Sequence, residues 1–154
     1  MTNDTRAIFL DIDGTLIPFG AETPCEQDRT ALLRARAAGH KVLINTGRSS
    51  GFLPPVLRTA DYLDGFLCGC GTQLIIGGKT LFKQEIPREA LRQVLAYFLE
   101  SPGEGCFFEG ETALLTIKRT HPQGQMLTRA DDFDTRFAGE SVTKLTIWGA
   151  PTQQ

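Results

Sequence analysis

Residues 7 to 12 (AIFLDI) form a short apolar run that enters an acidic turn, the pattern of a strand buried on both faces in a parallel sheet. Thr23-Pro24-Cys25-Glu26 has the form of a capping box with Pro at the first helical position. Ala31, Leu32, Leu33 and Ala35 continue an apolar face until Gly39, which predicts a helix over residues 24 to 38. Residues 41 to 45 (KVLIN) are a second strand, followed by Thr46-Gly47-Arg48-Ser49 and a second helix through Val56 and Leu57, with Pro54-Pro55 near its start. Gly65 to Cys68 reads as a third strand. Gln73 to Ile76, the turn Gly77-Gly78 and Lys79 to Lys83 then read as a β-hairpin.

The strongest helical signal lies further on. Pro87 opens it, and Leu91, Val94, Leu95, Phe98 and Leu99 recur at i, i+3, i+4, i+7 and i+8 before Ser101-Pro102-Gly103 stops it. Residues 105 to 109 and 112 to 118 read as two strands joined at Gly110-Glu111. Residues 120 to 140 are polar and turn-rich with one short helix, and 142 to 148 (VTKLTIW) form a final strand. The pattern predicts two parts: an α/β portion with a parallel sheet over residues 1 to 83 and an α+β portion over 84 to 154.

Composition narrows the class. With 154 residues, 41% hydrophobic and 22% charged, the chain is long enough to bury a sizeable core and is neither disordered nor fibrous in composition. Sixteen basic against eighteen acidic residues give a net charge of −2, the wrong balance for a non-specific nucleic-acid binder. No apolar run approaches the roughly 20 residues of a membrane helix, and the N-terminus is polar, so a cytoplasmic protein with no membrane partner is expected. The four cysteines lack CxxC spacing and read as reduced, small hydrophobes.

The candidate chemistry begins at Asp11-Ile12-Asp13-Gly14-Thr15-Leu16, at the C-terminal end of the first strand, where open parallel sheets bind ligands. A spacing of two puts both carboxylates on one side of the chain. Such a pair is tolerable if a cation sits between them or one holds a proton. An EF-hand register fails because its sixth position is Leu16 in place of the required Gly. In Thr46-Gly47-Arg48-Ser49, a hydroxyl, a backbone N–H and a helix N-terminus could together hold a phosphate. Both loops open at the same edge of a parallel sheet.

FLDIDGTL and VLINTGRS resemble the first and second motifs of the haloacid dehalogenase superfamily, and CGCGTQLII resembles the segment after its third strand in the Cof-type sugar-phosphate phosphatases, with Cys70 where that family typically has Asn. The resemblance implies a Rossmann-like core fragment over 1 to 83 and a partial α+β cap over 84 to 154. It further implies a Mg2+-dependent phosphatase acting on a phosphorylated small molecule, a sugar phosphate. Asp11 would be the nucleophile that forms an aspartyl-phosphate. Asp13 would protonate the leaving oxygen and then activate water. Mg2+ would sit on the Asp11 carboxylate and the Asp13 carbonyl, while Thr46 and the Gly47 N–H grip the phosphoryl oxygens.

By the same resemblance the family's third motif, a lysine, and its fourth, a Gly-Asp-x-x-Asn-Asp type run, do not occur in these 154 residues. Lys79 and Lys144 fall in the hairpin and in a cap strand, with packing roles. The expectation is that this chain hydrolyses esters weakly or not at all by itself, and that the edge of strand 8–11 is covered by another chain or a remodelled segment, with self-association as one outcome. The alternative is a catalytically dead phosphate-ligand or partner-binding module. Dinucleotide binding is disfavoured, since no GxGxxG follows the first strand.

Overall fold

A computed structural model describes residues 4–102 and 105–148. Contacts divide the chain into two compact units, Met1–Lys83 and Gln84–Gln154. The first contains β1 (Ala7–Leu10), α1 (Glu26–Ala37), β2 (Lys41–Asn45), a 3₁₀ turn (Ser50–Phe52), α2 (Pro55–Arg58), β3 (Gly65–Cys68), β4 (Gln73–Ile76) and β5 (Lys79–Lys83). Its sheet runs β1-β2-β3-β4-β5. β1, β2 and β3 are parallel, with Ala7 opposite Lys41 and Leu43 opposite Gly65. The hairpin of β4 and β5 extends that sheet antiparallel, so the expected parallel sheet is parallel over three strands and mixed as a whole.

β2, the middle of the three parallel strands, is the most deeply buried. Val42 and Ile44 are fully buried among Ile12, Leu16, Leu32, Leu57 and Cys68, as a strand covered on both faces must be. At the turn between β4 and β5, Gly77 and Gly78 have φ of 55° and 75°, the left-handed pair that a two-residue hairpin matched to sheet twist requires. Asp64, immediately before β3, ties the strands at their entry. Its carboxylate accepts the Val42 N–H (2.9 Å), two bonds from the Arg36 guanidinium (3.1 Å each) and one from Lys41 (3.4 Å).

Two predicted helices differ in detail. α1 is capped by Cys25 rather than by Thr23: the Cys25 Sγ accepts the Asp28 N–H (3.4 Å), and its own S–H reaches the Asp28 carboxylate (3.0 Å). Asp28 stands three residues on and accepts the thiol proton, so the helix is capped two positions later than the Thr23-to-Glu26 spacing suggests. The helix expected after Ser49 is a single 3₁₀ turn and a separate four-residue α2. Pro54 forces the preceding Leu53 into extended backbone (φ −64°, ψ 135°), which breaks the helix there.

The second unit contains α3 (Arg88–Glu100), β6 (Gly105–Gly110), β7 (Leu114–Ile117), β8 (Gly124–Met126), α4 (Asp132–Thr135) and β9 (Val142–Trp148). Its sheet order is β8-β7-β6-β9. β6 is antiparallel to both neighbours, and β8 is parallel to β7. α3 buries Leu91, Leu95 and Phe98 against Cys106, Phe108, Leu115 and Ile117, the stripe its spacing predicts. Phe108 and Phe133 close the core edge-to-face with centroids 5.0 Å apart. β8 was not expected, because three residues (Gly124 to Met126) are too short to show an alternation. Among the described residues no helix is long and apolar enough to cross a membrane.

Candidate active site

The acidic loop leaves β1 with Asp11 and Asp13 both exposed and Ile12 buried between them. A buried Ile12 side chain anchors the loop and turns its two neighbours outward. The loop folds on its own backbone: Thr15 and Ile17 N–H donate to the Ile12 carbonyl (3.3 and 2.9 Å), Leu16 N–H to the Asp11 carbonyl (3.2 Å), and Gly14 N–H to the Ile17 carbonyl (2.9 Å). Gly14 has φ +75°, which a residue with a side chain adopts only under strain. A Cβ at Gly14 would stand 2.6 Å from the Phe19 ring, so glycine also lets that ring lie over the loop.

The second loop follows β2. Thr46 is buried, its N–H donating to the Leu67 carbonyl (2.9 Å) and its carbonyl accepting the Cys70 N–H (3.1 Å). Gly69 N–H donates to the Arg48 carbonyl (2.8 Å), so residues 46 to 48 are strapped to the segment that follows β3. The Thr46 hydroxyl oxygen accepts the Arg48 N–H (3.2 Å). Cys70 is exposed in left-handed backbone (φ 59°), with its Sγ 3.6 Å from a Cβ placed on Gly47. Asn adopts that backbone more readily than Cys, yet the thiol takes the place beside the loop.

What joins the two loops is a residue the sequence left without a role. The Arg48 guanidinium grips both carboxylate oxygens of Asp13, Nη2 to Oδ1 at 2.7 Å and Nε to Oδ2 at 2.9 Å, and donates from Nη1 to the Phe52 carbonyl (3.1 Å). These bonds from Arg48 hold the Asp13 carboxyl below its ordinary range, against the opposing effect of burial. Asp13 raises the Arg48 pKa in turn, and the charge of Asp11 acts on Arg48 in the same direction. The sequence calls for a cation or a shared proton at two close carboxylates. At Asp13 the protein supplies a guanidinium.

The structure therefore brings Asp13, Arg48 and Thr46 into one bonded chain, with Asp11 in the same field. Instead of the helix N-terminus expected after Gly47, a single 3₁₀ turn of three residues follows Ser49, so the loop itself supplies the donors. Lys144 is committed on β9 to Glu109 of β6 (2.9 Å), and Lys79 is exposed at the hairpin.

The oxygen donors of the acidic loop suit a hard divalent cation. The carbonyls of Asp11 and Ile12 accept the loop's own N–H groups, whereas that of Asp13 accepts none of them. The Asp11 carboxylate and the Asp13 carbonyl are thus two oxygens that would suit Mg2+. Among the described residues no group of three or more His, Cys, Asp or Glu is arranged to hold a metal ion.

Beside Asp13 and Arg48 opens a cleft of about 510 Å³, walled by the segment after the acidic loop and by Pro54, Pro55 and Val56. Phe19 on its wall is 87% exposed, an unusual position for a large ring.

Residues 8–145 match the family model of haloacid dehalogenase-like hydrolases. The chain is 26% identical over 151 residues to "Putative phosphatase YkrA" of Bacillus subtilis (strain 168), covering 94% of this chain and 58% of that protein. The structure is similar to that of the subclass IIB sugar phosphatase BT4131, with 27% identity, TM-score 0.63, and coverage of 91% of this chain and 52% of the other. It also shares its fold with BT1666 of Bacteroides thetaiotaomicron (20% identity, TM-score 0.76, 97% and 58% covered). The chain thus spans a little over half the length of these relatives.

Proposed function

Because this chain belongs to the haloacid dehalogenase-like hydrolases, we propose that it carries the nucleophile and proton-transfer half of a Mg2+-dependent phosphomonoester phosphatase. The observation that carries the reading is the joining of the acidic loop to the Thr46 loop through Arg48. A phosphoryl group held by Thr46 and Gly47 would meet Asp11, Asp13 and a guanidinium at once.

In this reading an Asp11 oxygen attacks phosphorus and the bond from phosphorus to the ester oxygen breaks. The departing alkoxide takes a proton from Asp13, leaving an aspartyl-phosphate and an alcohol. The Asp13 carboxylate then takes a proton from water as that water attacks the same phosphorus, which regenerates Asp11 and releases inorganic phosphate. Bound at the Asp11 carboxylate and Asp13 carbonyl, Mg2+ supplies neutralisation of charge on the phosphoryl oxygens.

Arg48 fits into this sequence as a positioning residue. It aims the Asp13 carboxylate and keeps it ionised, the form that activates water. For the first step Asp13 must carry a proton, which requires the guanidinium to turn toward the phosphoryl oxygens when an ester arrives. Thr46, already accepting from the Arg48 N–H, retains its own O–H to donate to one of those oxygens.

In this reading the first unit is the core fragment and the second a partial cap. Sugar phosphates are the class named for BT4131, and a phosphorylated small molecule is the substrate class we adopt. The described cysteines are unpaired, in keeping with a cytoplasmic setting. Hydrolysis of an aryl phosphate with and without Mg2+, in the wild type and in Asp11→Asn, tests the reading. Mg2+-dependent phosphate release that disappears in Asp11→Asn supports it, and release that survives the substitution refutes it.

A further inference from the structure

The cleft beside Asp13 has a composition that the phosphate chemistry does not call for. Asp13 and Arg48 border it, whereas Asp11, Thr46 and Gly47 do not. It opens beside the proposed proton donor, and the alcohol of an ester whose oxygen Asp13 protonates would stand on this side. Its walls are Ile17, Pro18 and Phe19 on one segment and Pro54, Pro55 and Val56 on the other. A volume of about 510 Å³ falls within the range of small-molecule sites.

We propose that this cleft seats the leaving group of the substrate and selects a flat, apolar alcohol, such as an aryl or heteroaryl alcohol, over a polyol. The inference rests on the reading of Asp13 as proton donor and narrows its substrate class. Two observations carry it. Phe19 keeps 87% of its surface exposed while its ring is seated over Gly14, so a large apolar face stands ready beside the acidic loop. The polar groups on the walls are few. Asp13 is engaged with the ester oxygen and Arg48 with the phosphoryl group in this reading, and Glu22 and Thr23 suit one or two hydrogen bonds, whereas a sugar would bring a hydroxyl at nearly every carbon and leave most of them unpaired against proline and phenylalanine.

The test is binding rather than turnover. Calorimetric titration of the 154-residue chain with Mg2+ present uses three probes: inorganic phosphate, phenyl phosphate and glucose 6-phosphate. Phenyl phosphate is expected to bind about 10-fold tighter than inorganic phosphate, the gain of one good aromatic contact. Glucose 6-phosphate is expected to show no such gain. Phe19→Ala removes the advantage of phenyl phosphate and leaves inorganic phosphate unchanged, and Phe19→Tyr keeps it; a side chain this exposed can be replaced without unfolding the unit. An equal gain for glucose 6-phosphate, or a phenyl advantage that survives Phe19→Ala, overturns the cleft assignment while leaving the phosphate site standing. Failure of folded protein to bind any of the three overturns both.

Discussion

Replacing Arg48 by Met removes the group that orients Asp13 while keeping a side chain of similar length. In the wild type the two charged bonds of 2.7 and 2.9 Å join side chains that are 40% and 49% exposed, so solvent screens the pair and its contribution to stability is about 1 kcal/mol or less. Asp13 has its folded pKa held below the ordinary 3.8 by Arg48. A depressed carboxyl pKa contributes stability that is complete above the unfolded value near 3.8 and is lost as the pH falls through the folded value. Arg48→Met is therefore expected to melt slightly earlier than wild type at pH 7, by an amount that vanishes in strong acid. Its Asp13 carboxyl, followed by carbon-detected NMR titration, is expected to titrate at higher pH than in the wild type. Any turnover should drop through kcat far more than through stability, by up to about 100-fold for loss of orientation at the reacting group. An Asp13 titration unmoved by Arg48→Met would refute the pairing and with it the positioning role.

Three further outcomes follow from the packing. Asp64→Ala strands the Val42 N–H and Arg36 together, and chemical denaturation should show a loss of about 2 to 4 kcal/mol; a loss below 0.5 kcal/mol would contradict the view that Asp64 fixes the entry of β2 and β3. Asp132 has a fully buried side chain paired with Arg136. Burial would raise its pKa, but the N–H groups of Thr128 and Arg129 together with Arg136 outweigh that and lower it. Its contribution is thus present at neutral pH and lost on acidification. Asp132→Ala should destabilise the second unit by about 3 kcal/mol at pH 7 and by less at pH 3, and an acid-independent difference would refute the charged state. Among the described residues β1 pairs only with β2, at one end of the sheet order, and exposes 53% of Phe9, an edge open to a second copy. Light scattering should detect concentration-dependent dimers that Phe9→Lys removes. A monodisperse monomer with fast hydrogen exchange at Ile8 to Leu10 would sink that expectation.

The elements that the sequence announces clearly are those whose signals are local. The stripe of Leu91, Leu95 and Phe98 needs only helical periodicity, and the hairpin of β4 and β5 needs only Gly77-Gly78 between two apolar runs. The break at Pro54 was half legible: two prolines were visible, but their power to end the helix outright depended on the extended backbone at Leu53. The cap at Cys25 was missed because a thiol is a weak hydrogen-bonding group and Thr23 is the stronger capping residue by type. β8 is held by its pairing with β7 and carries no periodic signal of its own. Asp11, Asp13, Thr46 and Gly47 could be singled out as a set from motif and spacing. The Asp13 to Arg48 pair could not, since 35 residues separate the partners and only the parallel pairing of β1 with β2 brings their loops side by side. A signal did exist in the demand for a cation beside two carboxylates, which an arginine of the neighbouring loop meets at Asp13.

The nucleophilic role of Asp11 is best tested by looking for the covalent intermediate itself. The chain would be incubated with an aryl phosphate and Mg2+, quenched in acid and digested, and the peptide containing Asp11 examined by mass spectrometry. A phosphate adduct on Asp11 that depends on Mg2+ and disappears in Asp11→Asn is the predicted result. Phosphate release that continues in Asp11→Asn, or an adduct on another residue, would contradict it.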